Sequence, residues 1–291
     1  MFSVVIPLYN KELSIQNTIN SVLQQSFQDF EIVVVNDGST DTSVAKVEEI
    51  EDSRIRIVHQ QNQGVSAARN KGVVEAKFSW IAFLDGDDLW ETNHLQEVDE
   101  MIRLFPQEKV FATSFEYSDT RPMFRHPRES KIFKVDDYFK DALKENMMWT
   151  SIVVINKELF NKVGRFNTEL SRGEDLDLWA RLVRQFPLIK SSMITAVYRV
   201  EAENRTNLIK DLSSTHIYHL NLTDTLSESE YRYYVFLILR RMYDYYFKFN
   251  FKEYKEIKKK YKISFLSFFC YSIARIKGKI LNRITRALGN K

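Results

Sequence analysis

The stretch from Trp80 to Asp88 reads WIAFLDGDD and combines an apolar run with an acidic turn. Its first five residues are apolar, which is typical of a short, fully buried β-strand. Three carboxylates around a glycine follow at once, and Gly86 permits a tight turn between them. The stretch therefore predicts a buried strand that carries acidic groups at its carboxyl end.

The same alternation extends in both directions along the first half of the chain. Short β-rich runs occur at Ser3–Pro7, Glu31–Val35, Arg54–His59, Trp80–Leu84 and Val110–Tyr117. Helical patterns separate them at Leu13–Leu23, Ser43–Ile50, Val65–Ala76 and from Thr92 or Asn93 to about Leu104. This rhythm predicts an α/β domain with a mostly parallel, doubly wound sheet flanked by helices. In such sheets ligands bind outside the carboxyl ends of the strands, where Asn10, Asp37 and the acidic turn 85–88 lie.

The second half of the sequence has a less regular pattern, and its composition changes near its end. We expect residues 118–145 to be an irregular loop and Trp149–Ile155 to be extended. Helices are predicted for Lys157–Val163 and from Gly173 to about Phe186, and a strand for Ser191–Val200. From about Leu212 the chain becomes helical, aromatic and finally basic, so we expect an α/β domain over 1–210 and a helical C-terminal region over 211–291.

Composition excludes several classes of protein. The 291 residues are 44% apolar and 28% charged, which is ordinary for a globular protein and excludes collagen-like and disordered chains. The single cysteine, Cys270, excludes a disulfide scaffold and a cysteine-based zinc site. The first residues lack the basic segment of a signal peptide, and no apolar run approaches the roughly 20 residues that span a bilayer. We therefore expect a reduced, cytoplasmic protein.

The acidic turn has two interpretations. Oxygen ligands such as Asp85, Asp87 and Asp88 suit Mg²⁺ or Mn²⁺, and magnesium prefers one or two carboxylates completed by substrate phosphates. The alternative is a solvated turn that caps the next helix. Because the turn follows the fourth strand of an α/β sheet, we favour metal and phosphate binding.

Three other sites combine a functional and a structural interpretation. Asp37 could accept hydrogen bonds from a base or ribose, or it could close an Asx-turn. Arg69 could face a phosphate, pair with the acidic turn or form a surface ion pair. Glu174 and Asp175 could include a general base, although the helix dipole alone favours acids in a first turn.

Five segments together resemble family 2 glycosyltransferases of bacterial surface-glycan type, which have the GT-A fold of nucleotide-diphospho-sugar transferases. They are Val4–Lys11, Val35–Asp41, Gly64–Gly72, Phe83–Asp88 and Gly173–Trp179. Their order and spacing are those of the family, and the resemblance covers roughly residues 1–200. It implies an inverting enzyme that moves one sugar from a nucleotide-diphosphate donor, commonly a UDP-sugar, to a glycan or lipid-linked acceptor.

The resemblance also implies roles for individual residues. The nucleotide-sugar would contact Pro7, Tyr9, Asn10, Asp37, Arg69, Asp85 and Gly86. Asp85 and Asp87 would form the DXD motif that binds Mn²⁺ or Mg²⁺, with Asp87 as the main ligand, while Asp85 would contact the ribose or the metal. Asp175 would be the catalytic base, and Glu174 would orient the acceptor or the base. The chain departs from the family after Tyr198, where it lacks the expected histidine; Arg205 could supply the positive charge instead.

The C-terminal region is distinguished by its charge. Residues 248–291 hold 13 Lys and Arg and 2 Glu, a balance of +11, while the remainder of the chain carries −8. Lysines at 258–260 and 262 precede the apolar run Ile263–Ile276, and further basic residues extend to Arg286. The region 258–286 could bind an anionic membrane surface from the cytoplasm, or it could simply pack as a helical subdomain. The acidic body argues against a nucleic-acid partner.

Two other classes of function remain open from the sequence. A nucleotidyltransferase also uses an α/β sheet with acidic metal ligands, but it carries a Gly-rich basic loop where this chain has Pro7–Lys11. A non-catalytic scaffold could retain the fold, although intact Asp85, Asp87 and Asp175 argue against it.

Overall fold

A computed structural model describes residues 1–119, 131–203, 211–222 and 226–289, with side chains described as far as Lys277. The chain divides into two compact units, Met1–Lys210 and Asp211–Lys291. The predicted Arg205 and the predicted basic residues beyond Lys277 lie outside these described parts.

The first unit is built on a mixed sheet. Its described residues form the nine strands β1 (Phe2–Leu8), β2 (Phe30–Asp37), β3 (Ile55–Gln60), β4 (Trp80–Phe83), β5 (Leu89–Trp90), β6 (Val110–Tyr117), β7 (Ile132–Lys134), β8 (Val153–Asn156) and β9 (Leu188–Tyr198). The order across the sheet is β3-β2-β1-β4-β8-β6-β9-β5, with β7 beside β9. Strands β1 to β4 are parallel to one another, as are β6 and β9, whereas β8 runs antiparallel to both β4 and β6.

Helices flank this sheet and make up the second unit. In the first unit they are α1 (Ile15–Leu23), α2 (Ser43–Glu48), α3 (Val65–Glu75), α4 (His94–Leu104), α5 (Tyr138–Ala142), α6 (Leu159–Val163) and α7 (Glu174–Val183). In the second unit they are α8 (His216–His219), α9 (Glu228–Phe247), α10 (Phe251–Lys260) and α11 (Phe265–Gly289). The predicted α/β fold with a helical C-terminal region is confirmed.

Burial explains why the central strands read as continuous apolar runs. Strand β2 is buried along its whole length, and β1 is buried at every position except Pro7. Parallel strands covered by helices on both faces have no solvent side, so they do not alternate apolar with polar residues. Helix α3 packs closely on β1, because Gly72 faces Val5 with no side chain between them. This close packing sets the position of α3 at the carboxyl ends of the strands.

The structure corrects two expectations for the middle of the chain. The segment 118–145 is not a loop throughout, since β7 pairs with β9 and Asp137 caps α5 by accepting a 3.0 Å hydrogen bond from the Lys140 amide. The segment Trp149–Ile155 is not extended throughout, since residues Thr150–Ile152 form a 3₁₀ turn before β8. The pairing of β7 with β9 joins distant parts of the chain, which local patterns do not encode, whereas the Asp137 cap and the 3₁₀ turn are local features that the sequence analysis missed.

The second unit is a helical assembly around α9. Ser227 caps this helix by accepting a hydrogen bond from the Glu230 amide, and α9 buries aromatic and aliphatic side chains along its length. Helix α10 contributes the fully buried Ile257, and the Tyr261 hydroxyl lies within 3.1 Å of the Leu220 carbonyl oxygen. Within the described residues, no helix combines the length and apolar character needed to cross a bilayer.

Candidate active site

A cleft of about 680 Å³ opens where β1, β2 and β4 end. Its walls come from the turns after these strands, the start of α3 and the segment before α7. The predicted residues that line it are Pro7, Tyr9, Asp37, Arg69, Asp85, Gly86, Asp87 and Glu174. The fold thus brings together residues as far apart in the sequence as Pro7 and Glu174, which are separated by 167 positions. Such convergence is expected where the carboxyl ends of several strands share one edge of a sheet.

Two predicted residues, Asn10 and Asp175, are not among the described residues that line the cleft. Asn10 lies in the turn after β1, with a φ of +50°, and its side-chain oxygen accepts a 2.8 Å hydrogen bond from the Thr40 amide. It therefore joins the turn after β1 to the turn after β2. In the structure Asn10 shapes the edge of the cleft through this link.

Asp37 holds the loop that leads into α3. One of its carboxylate oxygens accepts hydrogen bonds from the Gln60 side chain at 2.7 Å and the Gln63 amide at 2.9 Å, and the other accepts from the Gly64 amide at 2.8 Å. The Asx-turn expected nearby is made by its neighbour, because Asn36 Oδ1 accepts from the Ser39 amide at 2.9 Å. Asp37 is thus a fixed, almost fully buried carboxylate in the cleft wall.

Arg69 is the central cation of the site. Its guanidinium donates to Asp85 Oδ1 at 2.6 Å and to Glu174 Oε1 at 2.8 Å, and it lies 5.3 Å from the ring centre of Phe166. Its side chain is only 5% exposed. Burial alone would lower the pKa of Arg69, but the charges of Asp85 and Glu174 outweigh burial and raise it. Of the sequence interpretations, pairing with the acidic turn is correct, and the surface ion pair is wrong.

Asn70 explains how Glu174 reaches Arg69. Its side-chain amide donates to the Phe166 carbonyl oxygen at 2.8 Å and accepts from the Phe166 amide at 3.0 Å. This paired contact fastens the segment before α7 to α3. The sequence analysis included Asn70 in a motif without giving it this positioning role.

The three acids of the turn 85–88 have three different environments. Asp85 pairs with Arg69, and Asp87 Oδ2 lies 2.7 Å from Lys11 Nζ. Asp88 is buried, and it accepts hydrogen bonds from the Ser151 hydroxyl at 2.7 Å and the Arg199 amide at 3.2 Å. Burial, followed by the charges of Asp85 and Asp87, raises the pKa of Asp88. The turn is therefore an organised cluster and not a solvated cap.

Gly86 allows this turn to pack against the turn after β1. A Cβ atom at this position would lie 3.0 Å from the Pro7 carbonyl oxygen and 3.7 Å from Lys11 Cγ. The close approach brings Lys11 within reach of Asp87. The predicted role of Gly86 next to the nucleotide-sugar stays a prediction.

The carboxylates Asp85 and Asp87 fit an open metal site. Both line the cleft, and their side chains are 24% and 14% exposed. Among the residues that the structure describes, no group of three or more His, Cys, Asp or Glu forms a closed site for a metal ion. One or two carboxylates completed by substrate phosphates is the arrangement that Mg²⁺ prefers. In this structure the cations Arg69 and Lys11 balance the two charges.

The first turn of α7 presents two acids in different ways. Glu174 faces the cleft and Arg69, while Asp175 Oδ1 accepts a 2.8 Å hydrogen bond from the Leu176 amide. Burial, followed by the charge of Glu174, raises the pKa of Asp175 to about 7. A carboxyl with this pKa is half ionised near neutral pH, which is the property of a general base. The expected pair between Asp177 and Arg181 is present at 2.7 Å.

Several cleft residues had no predicted role. Lys11 donates to the Glu203 carbonyl oxygen as well as to Asp87, and the Glu203 carboxylate accepts from the Leu13 amide at 3.2 Å and from the Ser14 hydroxyl. These contacts fasten the segment after β9 to the start of α1. Arg172 also lines the cleft. Lys11 follows Asn10 in a recognised motif and could have been found, whereas nothing in the local sequence marks Glu203.

Comparison with known proteins decides the family. The profile described as Glycosyl transferase family 2 matches residues 3–164. The chain belongs to this family. The resemblance inferred from the five sequence segments is therefore confirmed. In this family 2 glycosyltransferase the match covers the turns after β1, β2 and β4 and the start of α3, whereas Glu174 on the opposite wall of the cleft lies beyond it.

Several bacterial proteins that are named as glycosyltransferases are similar to this chain in sequence. TuaG of Bacillus subtilis (strain 168), whose name assigns it to teichuronic acid biosynthesis, is 33% identical over 195 residues, 64% of this chain and 73% of TuaG. The glycosyltransferase GlyG of Streptococcus pneumoniae serotype 4 is 28% identical over 211 residues, 67% of each chain. EpsJ, an uncharacterized glycosyltransferase of Bacillus subtilis (strain 168), is 41% identical over 102 residues, and the match spans only 30% of EpsJ.

A solved structure supports the fold of the family 2 domain. TarS of S. aureus, crystallised with UDP-GlcNAc, matches with a TM-score of 0.60 and 22% identity, over 70% of this chain and 59% of the TarS chain. At this identity the likeness concerns the fold. It confirms the GT-A-like architecture that the sequence predicted.

Proposed function

We propose that the protein is an inverting, metal-dependent glycosyltransferase. It moves a single hexosyl or N-acetylhexosaminyl group from a UDP-sugar to a hydroxyl of a glycan or lipid-linked acceptor in bacterial surface polysaccharide or lipopolysaccharide synthesis. The observation that supports it best is one cleft that combines Asp37, Asp85, Asp87, Arg69 and Glu174 within a family 2 domain. The surface-glycan role draws on the name of TuaG, and the UDP donor draws on the nucleotide in the TarS crystal.

The donor nucleotide would lie along the β1 and β2 side of the cleft. Tyr9 is 45% exposed there, so its ring offers a flat face to a nucleobase, beside Pro7 and Asn10. Asp37 is held rigidly by three hydrogen bonds and accepts from donors on the base. A preformed wall of this kind lowers the ordering cost of binding.

The diphosphate would lie over the acidic turn. Mn²⁺ or Mg²⁺, held by Asp87 and Asp85, would neutralise the charge that develops on the leaving diphosphate. Lys11 lies beside Asp87 and would supply a second positive charge at the same place. Arg69 donates a hydrogen bond to Asp85 and so keeps its carboxylate oriented in the cleft.

The acceptor hydroxyl would lose its proton to Asp175. The pKa of this carboxyl, raised to about 7, lets it accept a proton near neutral pH. Glu174 is fixed by Arg69 and would orient the acceptor or the base. Attack from the face opposite the diphosphate inverts the anomeric centre, so an α-linked donor gives a β-linked product. This reaction would take place in the cytoplasm, at the inner face of the membrane.

The test is nucleotide release from UDP-, GDP- and dTDP-sugars in the presence of Mn²⁺, Mg²⁺ or EDTA. The wild type is compared with Asp87→Ala, Asp175→Asn and the exposed control Asp29→Asn. We expect metal-dependent release from a UDP-sugar, lost by at least 100-fold in the first two variants and unchanged in the control, as for removal of a general base or a charge-stabilising group.

Calorimetry with UDP and Mn²⁺ distinguishes a missing acceptor from a wrong proposal. Metal-dependent binding that requires Asp87, without release, identifies a transferase that lacks its acceptor. Absence of binding by every nucleotide would contradict the proposal and favour the scaffold alternative.

A further inference from the structure

Helix α11 has one face that the second unit leaves uncovered. Its residues Phe265, Leu266 and Phe269 are 66%, 68% and 49% exposed, and Ile273 and Ile276 are exposed as well. Spacings of three, four and seven residues place these five side chains on one side of a helix. Five large apolar side chains on one stripe form a contiguous surface, unlike isolated apolar residues on ordinary protein surfaces.

The neighbouring face of α11 is covered by α9. Phe268 and Ser272 are buried, and Arg275 lies 3.7 Å from Asp244 and 5.1 Å from the ring centre of Tyr243. The charge of Arg275 is therefore turned towards α9. The uncovered stripe is consequently apolar and includes none of the charge of Arg275.

The junction between α9 and α10 adds a second exposed apolar feature. Phe247, Phe249 and Phe251 are 48%, 78% and 44% exposed, and Phe249 has a φ of +61°, a conformation that bulky residues rarely adopt. Ring contacts connect this junction to α11, since Tyr246 lies 5.7 Å from both Phe251 and Phe268. The junction and the α11 stripe therefore belong to one aromatic region of the second unit.

Exposed lysines lie close in the sequence to these apolar side chains. Lys248 and Lys252 flank Phe249, and Lys259, Lys260 and Lys262 lie between the junction and α11; all five are exposed. Residues 248–291 carry a balance of +11. A second copy of the chain on this region would bring two strongly positive surfaces together, whereas an anionic surface complements them. Long lysine side chains can also extend to lipid headgroups while apolar neighbours enter the acyl boundary.

We infer that the α11 stripe and the phenylalanine junction form a surface that binds an anionic lipid bilayer. The apolar side chains enter the headgroup and acyl boundary, and the exposed lysines contact the anionic headgroups. This mode requires no spanning helix. Membrane binding and sugar transfer are separate properties, so either can fail without the other.

The test uses the full chain and vesicle sedimentation. The wild type is mixed with vesicles of phosphatidylcholine and phosphatidylglycerol, and separately with vesicles of phosphatidylcholine alone. We expect sedimentation with the anionic vesicles, little with the neutral ones, and release by added salt. Sedimentation with neither kind of vesicle, or equally with both, would overturn the inference.

Two variants locate the surface. Phe265→Ala/Leu266→Ala/Phe269→Ala lowers the partition coefficient by about 100-fold, from the loss of apolar insertion. Lys259→Gln/Lys260→Gln/Lys262→Gln lowers it by about 100-fold as well, since each basic residue near an anionic surface contributes about fivefold. Wild-type sedimentation by both variants would assign binding to another part of the chain and overturn the inference.

Matched controls alter the same residue types in the first unit. Leu13→Ala/Val74→Ala/Leu104→Ala removes exposed apolar side chains, and Lys46→Gln/Lys71→Gln/Lys162→Gln removes exposed charges. Both should sediment like the wild type. Circular dichroism checks that each variant is folded. Analytical ultracentrifugation without lipid tests for self-association. A dimer in the wild type that Phe265→Ala/Leu266→Ala/Phe269→Ala abolishes would show that the stripe binds a second copy of the chain, and would overturn the inference.

Discussion

Arg69 Nη1 lies 2.8 Å from Glu174 Oε1, although 105 positions separate the two residues in the chain. The same guanidinium holds Asp85 at 2.6 Å, so one buried cation joins helix α3, the acidic turn and the first turn of α7. A buried charge that loses its partner is costly, because neither water nor another ion replaces the contact. The geometry of the cleft thus depends on Arg69 before any substrate binds.

Replacement of this arginine should therefore unfold the site. Arg69→Gln leaves Asp85 and Glu174 without their shared cation, and we expect the free energy of unfolding to fall by about 3–5 kcal/mol. Arg103→Gln is the matched control, because Arg103 pairs with Asp99 while 74% exposed, and its loss should cost less than about 1 kcal/mol. Urea titrations of both variants give the comparison. Equal losses would show that Arg69 has no special structural role.

The cleft shows which features a sequence can predict. The acidic turn was placed correctly because it follows a short apolar strand directly. Strands β1, β2 and β4 were recognised because continuous apolar runs mark buried parallel strands, whereas β3 was recognised from a β-rich run that includes Arg56 and His59. The pairing of Lys11 with Asp87 and the anchoring by Glu203 join residues 76 and 192 positions away from Lys11. No local pattern carries such information.

Side-chain direction was equally inaccessible from the sequence. Glu174 and Asp175 were predicted together, but only Glu174 lines the cleft. Consecutive residues of an α-helix point about 100° apart, so Glu174 pairs with Arg69, while Asp175 makes no such pair but still experiences the charges of Glu174, Arg69 and Asp85. Their different contacts became visible only with the helix placed on the sheet, and the roles that the resemblance implies for them stay predictions.

Close packing of α3 on β1 predicts a severe effect at Gly72. A Cβ atom there would lie 2.2 Å from Val5 Cγ1, so Gly72→Ala must displace the helix or the strand and should cost about 3 kcal/mol or more. Gly64→Ala is the comparison: its Cβ would meet open space, and only its backbone conformation, with φ +88° and ψ 165°, opposes the substitution, at about 1–3 kcal/mol. Thermal unfolding of the two variants distinguishes them. A smaller loss at Gly72 than at Gly64 would contradict the observed packing.

Lys11 should compete with a divalent cation for Asp87. Its ammonium nitrogen lies 2.7 Å from Asp87 Oδ2, and a bound Mn²⁺ would have to displace it. Lys11→Gln leaves the acids of the turn less compensated, so we expect Mn²⁺ to bind the nucleotide-free protein about tenfold more tightly. Calorimetric titration with Mn²⁺ alone measures this. The double variant Lys11→Gln/Asp87→Ala provides the control, and retained tight binding in it would place the metal elsewhere.

Because Asp37 holds the loop before α3, we expect its replacement to loosen this loop and to weaken nucleotide binding together. Asp37→Asn replaces one acceptor oxygen by an amide that cannot accept from the Gly64 or Gln63 amides, at a cost of about 1–3 kcal/mol. We expect faster hydrogen exchange at the Gly64 amide and weaker UDP binding. Asp52→Asn, which alters a more exposed pair with Arg54, is the control and should change neither. Normal Gly64 exchange with weakened UDP binding would assign Asp37 to base contact alone.

Asp175 predicts opposite pH effects on activity and stability. A general base acts when ionised, so with a pKa of about 7 the transfer rate should rise as pH increases from about 5 to 8 and then level off. The pKa of Asp175 in the folded state lies above its unfolded value of 3.8. The protonated carboxyl therefore favours the folded state of the wild type at low pH, and this contribution to stability is lost as pH rises from about 4 through 7.

The variant Asp175→Asn separates the two effects. It should abolish most activity while unfolding at a higher temperature than the wild type at pH 8, and this gain should vanish near pH 4, where the wild-type carboxyl is protonated in both states. Asp177→Asn, which alters the partly exposed pair with Arg181 on the same helix, should show neither the loss of activity nor this pH-dependent gain. An Asp175→Asn variant that is no more stable than the wild type at pH 8 would show that burial does not raise the pKa of this carboxyl, and an unchanged rate profile would assign the proton transfer to another group.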